Sequence, residues 1–465
     1  MTVVTCAFAP VAQAQDVTTR PAVSSVRVDF AKPFDQPFAG WGTSLCWWAH
    51  GVGGWDEKTV DQVVHLITDP GEGLGMNVFR YNIGGGDDPS HHHMRRWGDV
   101  PGFKAGKDAD YDWSADANQR KVLRKLVAAR SDAIVEAFSN SPPYWLTTSG
   151  CVAGSTDGQG NLPEANERAF VRYLVDVAKH VSTADSVTFH CVEPFNEPDV
   201  NWWRANKDQE GCHVPRQQQA RIIRLLREEL DGAGMNKTLV SATDANSIDD
   251  AVRSIRSYDK ATIGALGQIN THSYAGKQRA ELRELADQHG KPLWQSETGP
   301  LWVGGRPFEQ VMKVAERVTL DINEMRPQTW LTWQVVAGGE WGCLHDDPRN
   351  RRVTIGKKFH MLRLFTQHIR PGDRFVDVSG DVSALAGIST TRNEAVVVLV
   401  NRAKEPKPIQ IALNGLKSTP AEARVTRTSM SEDAVAGPTV AIKDGVVTTE
   451  LPPESVTQLL LPNAQ

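Results

Sequence analysis

The chain has 465 residues, 40% of them hydrophobic, enough for a barrel-sized domain plus a smaller companion. Its 51 Lys and Arg against 56 Asp and Glu leave a net charge of −5, with no basic cluster that would make nucleic acid or an anionic membrane its main partner. No apolar run approaches the ~20 residues of a membrane helix.

Residues 2–14 read Thr-Val-Val-Thr-Cys-Ala-Phe-Ala-Pro-Val-Ala-Gln-Ala. This apolar stretch with a small-x-small end predicts the tail of a secretory signal over residues 1–15, hence a secreted or periplasmic protein. Within residues 16–35, Ser25-Val-Arg-Val-Asp-Phe30 alternates like a strand.

From residue 36 to 370, β-rich runs alternate with helical patterns. The expected strands are Ala39 to Cys46, Val78 to Gly84, Ala133 to Ser139, Val187 to Pro194, Thr238 to Thr243, Gln268 to Tyr274, Pro292 to Ser296 and Thr329 to Val335. Apolar spacing of three and four predicts helices over Asp56 to Leu66, Asn118 to Ala129, Glu164 to His180, Arg216 to Ala233, Arg279 to His289 and Phe308 to Glu324. Eight such strands predict α/β architecture: a closed parallel (β/α)8 TIM barrel.

Past Pro371-Gly372 the helical period disappears. Alternating runs at Ala395 to Val400, Ala423 to Thr428 and Val456 to Leu461 predict a C-terminal antiparallel β-sandwich over residues 371–465, joined by the N-terminal strand. All fourteen Trp lie between Trp41 and Trp341, and all six Tyr between Tyr81 and Tyr274. Flat rings are what sugars stack on. A domain without Trp or Tyr is therefore expected to support the barrel, not to bind carbohydrate.

None of the six cysteines forms a Cys-x-x-Cys pair, which argues against a structural zinc site of that kind. Cys191 is expected as a buried thiol. Cys46 with Cys343, and Cys151 with Cys212, are expected disulfides between neighbouring loops. His91-His-His93 reads as a solvated loop, because adjacent histidines rarely converge on one ion. Gly84-Gly-Gly86 lacks phosphate-loop spacing and reads as a close-packed turn.

Two glutamates carry most of the chemistry. Glu197 lies in Val-Glu-Pro-Phe-Asn-Glu-Pro-Asp (192–199), and Glu297 in Leu-Trp-Gln-Ser-Glu-Thr-Gly (293–299). Each ends an apolar run before a turn former, which in a barrel puts it at the active face. Two carboxylates at one mouth are the minimum set for breaking a glycosidic bond. Polar and aromatic residues follow nearly every other strand: Trp41 to Trp48, Arg80, Ser139 to Trp145, Thr271-His-Ser-Tyr274 and Thr332-Trp-Gln334. The fifth strand offers only Asp244 and Asn246, a weaker signal.

In order along the chain, Phe79-Arg80, Ser141-Pro-Pro-Tyr-Trp145, Glu193-Pro-Phe-Asn-Glu-Pro198, Trp294-Gln-Ser-Glu297 and the Lys357-Lys-Phe to Ile369-Arg-Pro-Gly372 stretch resemble glycoside hydrolase family 30, a retaining group of clan A. Gly42 to Ala49 and Gln209-Glu-Gly-Cys212 are most similar to its endo-β-1,6-galactanase branch. The resemblance implies Glu197 as general acid/base and Glu297 as nucleophile. It implies Arg80 and Tyr274 as donors to Glu297, Asn196 as a partner of the sugar 2-hydroxyl, and Trp333 as the floor of the cleavage subsite. Trp145 and Asp87 are further expected sugar contacts. Trp47 and Trp48, with Trp202 and Trp203, could stack on sugar or simply anchor loops. Arg80 could also be a barrel-core ion pair. Double displacement needs Glu197 protonated, its pKa raised by apolar walls and by Glu297, and Glu297 ionised. It needs no cofactor and no metal. The expected partner is an oligo- or polysaccharide, with no obligate protein partner.

Overall fold

The computed structural model describes residues 23–300 and 305–464. The signal-like segment and Cys6 lie outside the described residues.

Strand β1 (Ser24–Pro33) precedes the barrel. The barrel strands are β2 (Gly40–Ser44), β3 (Val78–Asn82), β4 (Ile134–Phe138), β5 (Phe189–Glu193), β6 (Leu239–Ser247), β7 (Gln268–Ala275), β8 (Leu293–Glu297) and β9 (Thr329–Gln334). All pair in parallel, and β9 closes on β2. Every residue of β2, β3, β8 and β9 is buried, as strands covered on both faces require. All eight predicted strands are present within a few residues of their expected ends.

The connecting helices bury one face each. Glu167–Asp185 turns Phe170, Leu174, Val177 and Val181 inward. Glu57–Thr68 begins at Asp56, whose side chain accepts from the Thr59 N–H. The sequence reading missed Ile248–Ser257, Lys260–Ala265 and Lys357–Thr366. The first two span 10 and 6 residues, too few for a strong period, and are set by their caps: Ser247 accepts from Asp250 N–H and Asp259 from Thr262 N–H.

A hairpin of β10 (Leu344–Asp347) and β11 (Arg352–Ile355) follows the barrel. The second domain holds β12 (Arg374–Gly380), β13 (Ser383–Ser389), β14 (Glu394–Asn401), β15 (Lys407–Asn414), β16 (Glu422–Thr428), β17 (Val435–Lys443), β18 (Val446–Leu451) and β19 (Ser455–Pro462). With β1 they form a closed nine-strand ring around an apolar core that includes Val28, Ile411, Leu399 and Leu461. The ring is mixed, not wholly antiparallel: β1 lies antiparallel to β12 but parallel to β15. No hairpin constrains β1, which arrives from the far end of the chain and fills the gap between those two strands.

The two domains share packing. Trp41 Nε1 donates to Ile369 O at 2.7 Å, Phe38 meets Phe375 edge-on at 5.0 Å, and Phe375, Val398 and Val456 belong to the same buried cluster as the barrel core.

The expected disulfides are absent. Cys46, Cys151, Cys191, Cys212 and Cys343 are all free and buried. Cys46 packs in a small cluster with Val100, Phe138 and Trp333, whereas Cys343 sits in the main core. Cys151 faces Ala205 O at 3.4 Å, and Cys212 turns into the main core. Neighbouring loops do not supply a bond that demands Cβ atoms ~3.8 Å apart.

Candidate active site

The C-terminal ends of the barrel strands open into a cleft of about 820 Å³ that holds both glutamates. Glu197 follows β5 in a left-handed backbone conformation (φ +49°), unusual for a residue with a Cβ. Three bonds hold it there. Its N–H donates to Asp244 O at 2.9 Å, its carbonyl accepts from Trp203 Nε1 at 3.0 Å, and its Oε1 accepts from Asn246 Nδ2 at 2.6 Å.

Glu297 is the last residue of β8. Its Oε1 accepts from Tyr274 Oη and its Oε2 from Arg80 Nη1, each at 3.1 Å. The two carboxylates present oxygens within 4.8 Å of each other, with an imidazole nitrogen of His272 inside the same span.

Arg80 is fully buried and serves as both core ion pair and site residue. Its Nε donates to Glu136 at 2.6 Å, its Nη2 to Asp244, and its Nη1 to Glu297. His272, also fully buried, places Nδ1 3.2 Å from Glu197 Oε1 and 3.5 Å from Glu297 Oε1, with Nε2 3.3 Å from Asp244. Burial opposes charge on this imidazole, but Glu297 and Asp244 prevail and hold its pKa well above the usual histidine range.

Burial pushes Glu297 up to about 7; the cations His272 and Arg80 pull it down, while Glu197 and Asp244 add to the rise. This corrects the expectation of a firmly ionised nucleophile. The donors are present, but desolvation outweighs them. Asp244, equally desolvated, is held down to about 2 by Arg80 and His272.

Asn196 borders the cleft, and its Oδ1 is buried without a protein partner. Such an orphan acceptor suits a ligand hydroxyl. Trp333 lines the cleft and meets the half-buried Trp47 edge-on at 5.4 Å. Trp48 borders the same space but is 2% exposed and donates Nε1 to Ser44 O, so it packs more than it displays. Trp202 is 46% exposed on the rim, whereas Trp203 is spent on anchoring Glu197.

Two expected contacts stand elsewhere. Trp145 is not on the cleft wall: its Nε1 donates to Lys104 O at 3.1 Å and its ring packs edge-on against Tyr173. Asp87 also lies off the wall, with Oδ1 3.3 Å from His91 Nδ1. Nor are the three histidines uniformly solvated. His92 is exposed, but His91 faces Asp87 and His93 Nε2 lies 3.8 Å from Cys151 Sγ.

Sequence reasoning undervalued Asp244 and Asn246 and gave His272 no role. Their position in the C-terminal half of β6 and on β7 was the available signal. Glu210, quoted only for its motif, also borders the cleft; it is buried, accepts from Asn82 Nδ2 at 2.9 Å and from Gly85 N–H at 3.2 Å, and burial raises it to about 7.

Comparison with known proteins agrees with this geometry. Residues 23–299 match O-Glycosyl hydrolase family 30. The chain belongs to that family. Among relatives of this family 30 chain, an endo-β-1,6-galactanase of Hypocrea rufa is 32% identical over 385 residues, 78% of each chain. An exo-β-1,6-galactobiohydrolase of Bifidobacterium longum is 26% identical over 402 residues, covering 64% of this chain and 26% of that protein. The catalytic domain of a family 30 xylanase from Talaromyces cellulolyticus superposes with a TM-score of 0.71 at 20% identity, covering 94% of this chain and 99% of that one. This family 30 member is thus a glycoside hydrolase, built as the family's barrel with a C-terminal β domain.

Proposed function

We propose that the protein is a retaining, endo-acting hydrolase of the β-1,6-galactan side chains of arabinogalactan. The observation that carries the mechanism is the 4.8 Å limit on the separation of the Glu197 and Glu297 oxygens. Retaining enzymes keep their carboxyls about 5–5.5 Å apart, whereas inverting enzymes leave about 6.5–9.5 Å for a water.

Glu197, as general acid, gives a proton to the departing glycosidic oxygen. Glu297, held by Arg80 and Tyr274, attacks the anomeric carbon, so the C–O bond to the leaving sugar breaks as the ester to Glu297 forms. Glu197, now a carboxylate, takes a proton from the incoming water, and hydroxide displaces Glu297. Asn196 receives the 2-hydroxyl on its free Oδ1, and Trp333 supports the ring.

The substrate choice draws on the likeness to the Hypocrea rufa galactanase. A polymer of this size is met outside the cell, which agrees with the export expected from residues 2–14. The test is product analysis on de-arabinosylated arabinogalactan beside pustulan, a β-1,6-glucan, with the anomer of the first product read by NMR. Galacto-oligosaccharides released as the β-anomer are expected. Release from pustulan alone would overturn the galactan assignment, and an α-anomer would overturn the double displacement. No hydrolysis by either wild type or Glu297→Gln would point to a carbohydrate receptor.

A further inference from the structure

Asn140, in the loop after β4, borders the cleft and is 3% exposed. Its Nδ2 donates inward twice, to Cys46 Sγ at 3.2 Å and to Glu210 Oε2 at 3.4 Å. Glu210 is itself fixed by three further donors. Its Oε1 accepts from Gly85 N–H at 3.2 Å and Val100 N–H at 3.4 Å, and its Oε2 from Asn82 Nδ2 at 2.9 Å. An ionised carboxylate only accepts, so the side of the Asn140 amide that faces it must be the NH2. The amide carbonyl is thereby turned the other way. Among the described residues no group donates to Asn140 Oδ1, and it is not a sealed orphan like Asn196 Oδ1: it opens on the cleft.

Cys46 puts this acceptor beside the proposed floor of the cleavage subsite. It shares a small buried cluster with Trp333, and its carbonyl accepts from Nε2 of Gln334, the next residue, at 2.8 Å. We propose that Asn140 is a specificity-determining contact whose Oδ1 accepts from a hydroxyl of the sugar in the cleavage subsite, with Glu210 as the positioning residue that holds the amide that way round.

The choice of hydroxyl rests on the galactan reading above. An interior ring of a β-1,6-galactan is linked through C1 and O6, which leaves the 2-, 3- and 4-hydroxyls. Asn196 takes the 2-hydroxyl. The Asn140 acceptor is therefore left for the 3- or the 4-hydroxyl, and the 4-hydroxyl is axial in galactose but equatorial in glucose. A site built to hydrogen-bond a hydroxyl rejects the analogue that lacks it far more sharply than an apolar wall does.

The test uses the full chain and 4-nitrophenyl β-1,6-galactotrioside, whose innermost ring enters the cleavage subsite, beside its 3-deoxy and 4-deoxy forms at that ring. It is run at pH 8, above the value of about 7 to which burial raises Glu210. Wild type should lose about tenfold in kcat/KM on one of the two deoxy forms. Asn140→Ala should lose about as much on the parent glycoside, and no more than about twofold further on that deoxy form, because the partner is already gone. Glu210→Gln, which lets the amide turn, should shrink the same discrimination, whereas a merely structural loss would scale all three glycosides alike. Circular dichroism checks folding, and Glu210→Gln keeps the test open if Asn140→Ala does not fold. Equal wild-type rates on all three glycosides, or losses that multiply independently at both positions, would overturn the proposal. Turnover of the corresponding glucotriosides alone would overturn the galactan reading instead, and the 3-deoxy and 4-deoxy forms of that series would then decide this one.

Discussion

The barrel and the nine-strand ring are both closed sheets, but they fill their interiors differently. The barrel strands bury Arg80, Glu136, Glu193, Asp244, His272 and Glu297. No charged residue of β1 or β12–β19 is buried; the ring's core is Val, Ile, Leu, Ala and Phe. Buried charges are at best neutral for stability once desolvation is counted, whereas apolar burial stabilises directly. The barrel therefore carries the chemistry at some cost in stability, and the ring, packed against it through Trp41, Phe38 and Phe375, supplies stability without chemistry.

The sharpest way to break this contrast is Glu297→Gln. Turnover should fall on the order of 10³-fold or more, because nothing else can form the covalent intermediate. The Tm should hold or rise, since a desolvated carboxylate is replaced by a neutral amide. A large fall in Tm would mean that the charge is structural.

Arg80→Met comes next. It leaves Glu136, Asp244 and Glu297 without their shared cation, so it should cost about 3–5 kcal/mol in stability and also abolish activity. In the ring, Leu399→Ala should cost about 2–5 kcal/mol by denaturant unfolding. Its kcat/KM per folded molecule should match wild type. A kinetic change there would show that the ring shapes the cleft.

The same division explains what was legible in the sequence. Strands buried on both faces write continuous apolar runs, so all eight barrel strands could be found; among β12–β19 only β14, β16 and β19 are marked, and β14 and β19 are buried along nearly their whole length rather than alternating. Glu197 and Glu297 stood out because a carboxylate ending an apolar run is rare. Asn246 and His272 did not, because a polar residue at a strand end looks the same whether it meets a catalytic carboxylate or a core ion pair. Their role exists only once β6 and β7 place them beside Glu197. Trp145 and Asp87 failed in the opposite sense: their motifs fixed the loop but not which side of it they face. The cysteine pairings failed because loop adjacency does not specify a Cβ separation, and the β1–β15 pairing because no local pattern encodes a parallel neighbour 385 residues away (Ser24 beside Ile409).

The smallest predicted effect is the most informative about the polar interior. Glu297 must be ionised to attack, and burial raises it to about 7, so the acid limb of kcat/KM should fall near neutrality. His272 pulls that value down through its positive charge. Replacing it by Asn removes the cation and leaves the desolvation, so Glu297 should hold its proton to higher pH. The acid limb should then move upward, with activity at pH 6 falling about tenfold relative to wild type and less at pH 8. A merely structural histidine would scale the whole profile down without moving the limb. A downward shift would mean that His272 favours the protonated form of Glu297 and does not balance its charge, leaving that task to Arg80 at the mouth of the barrel.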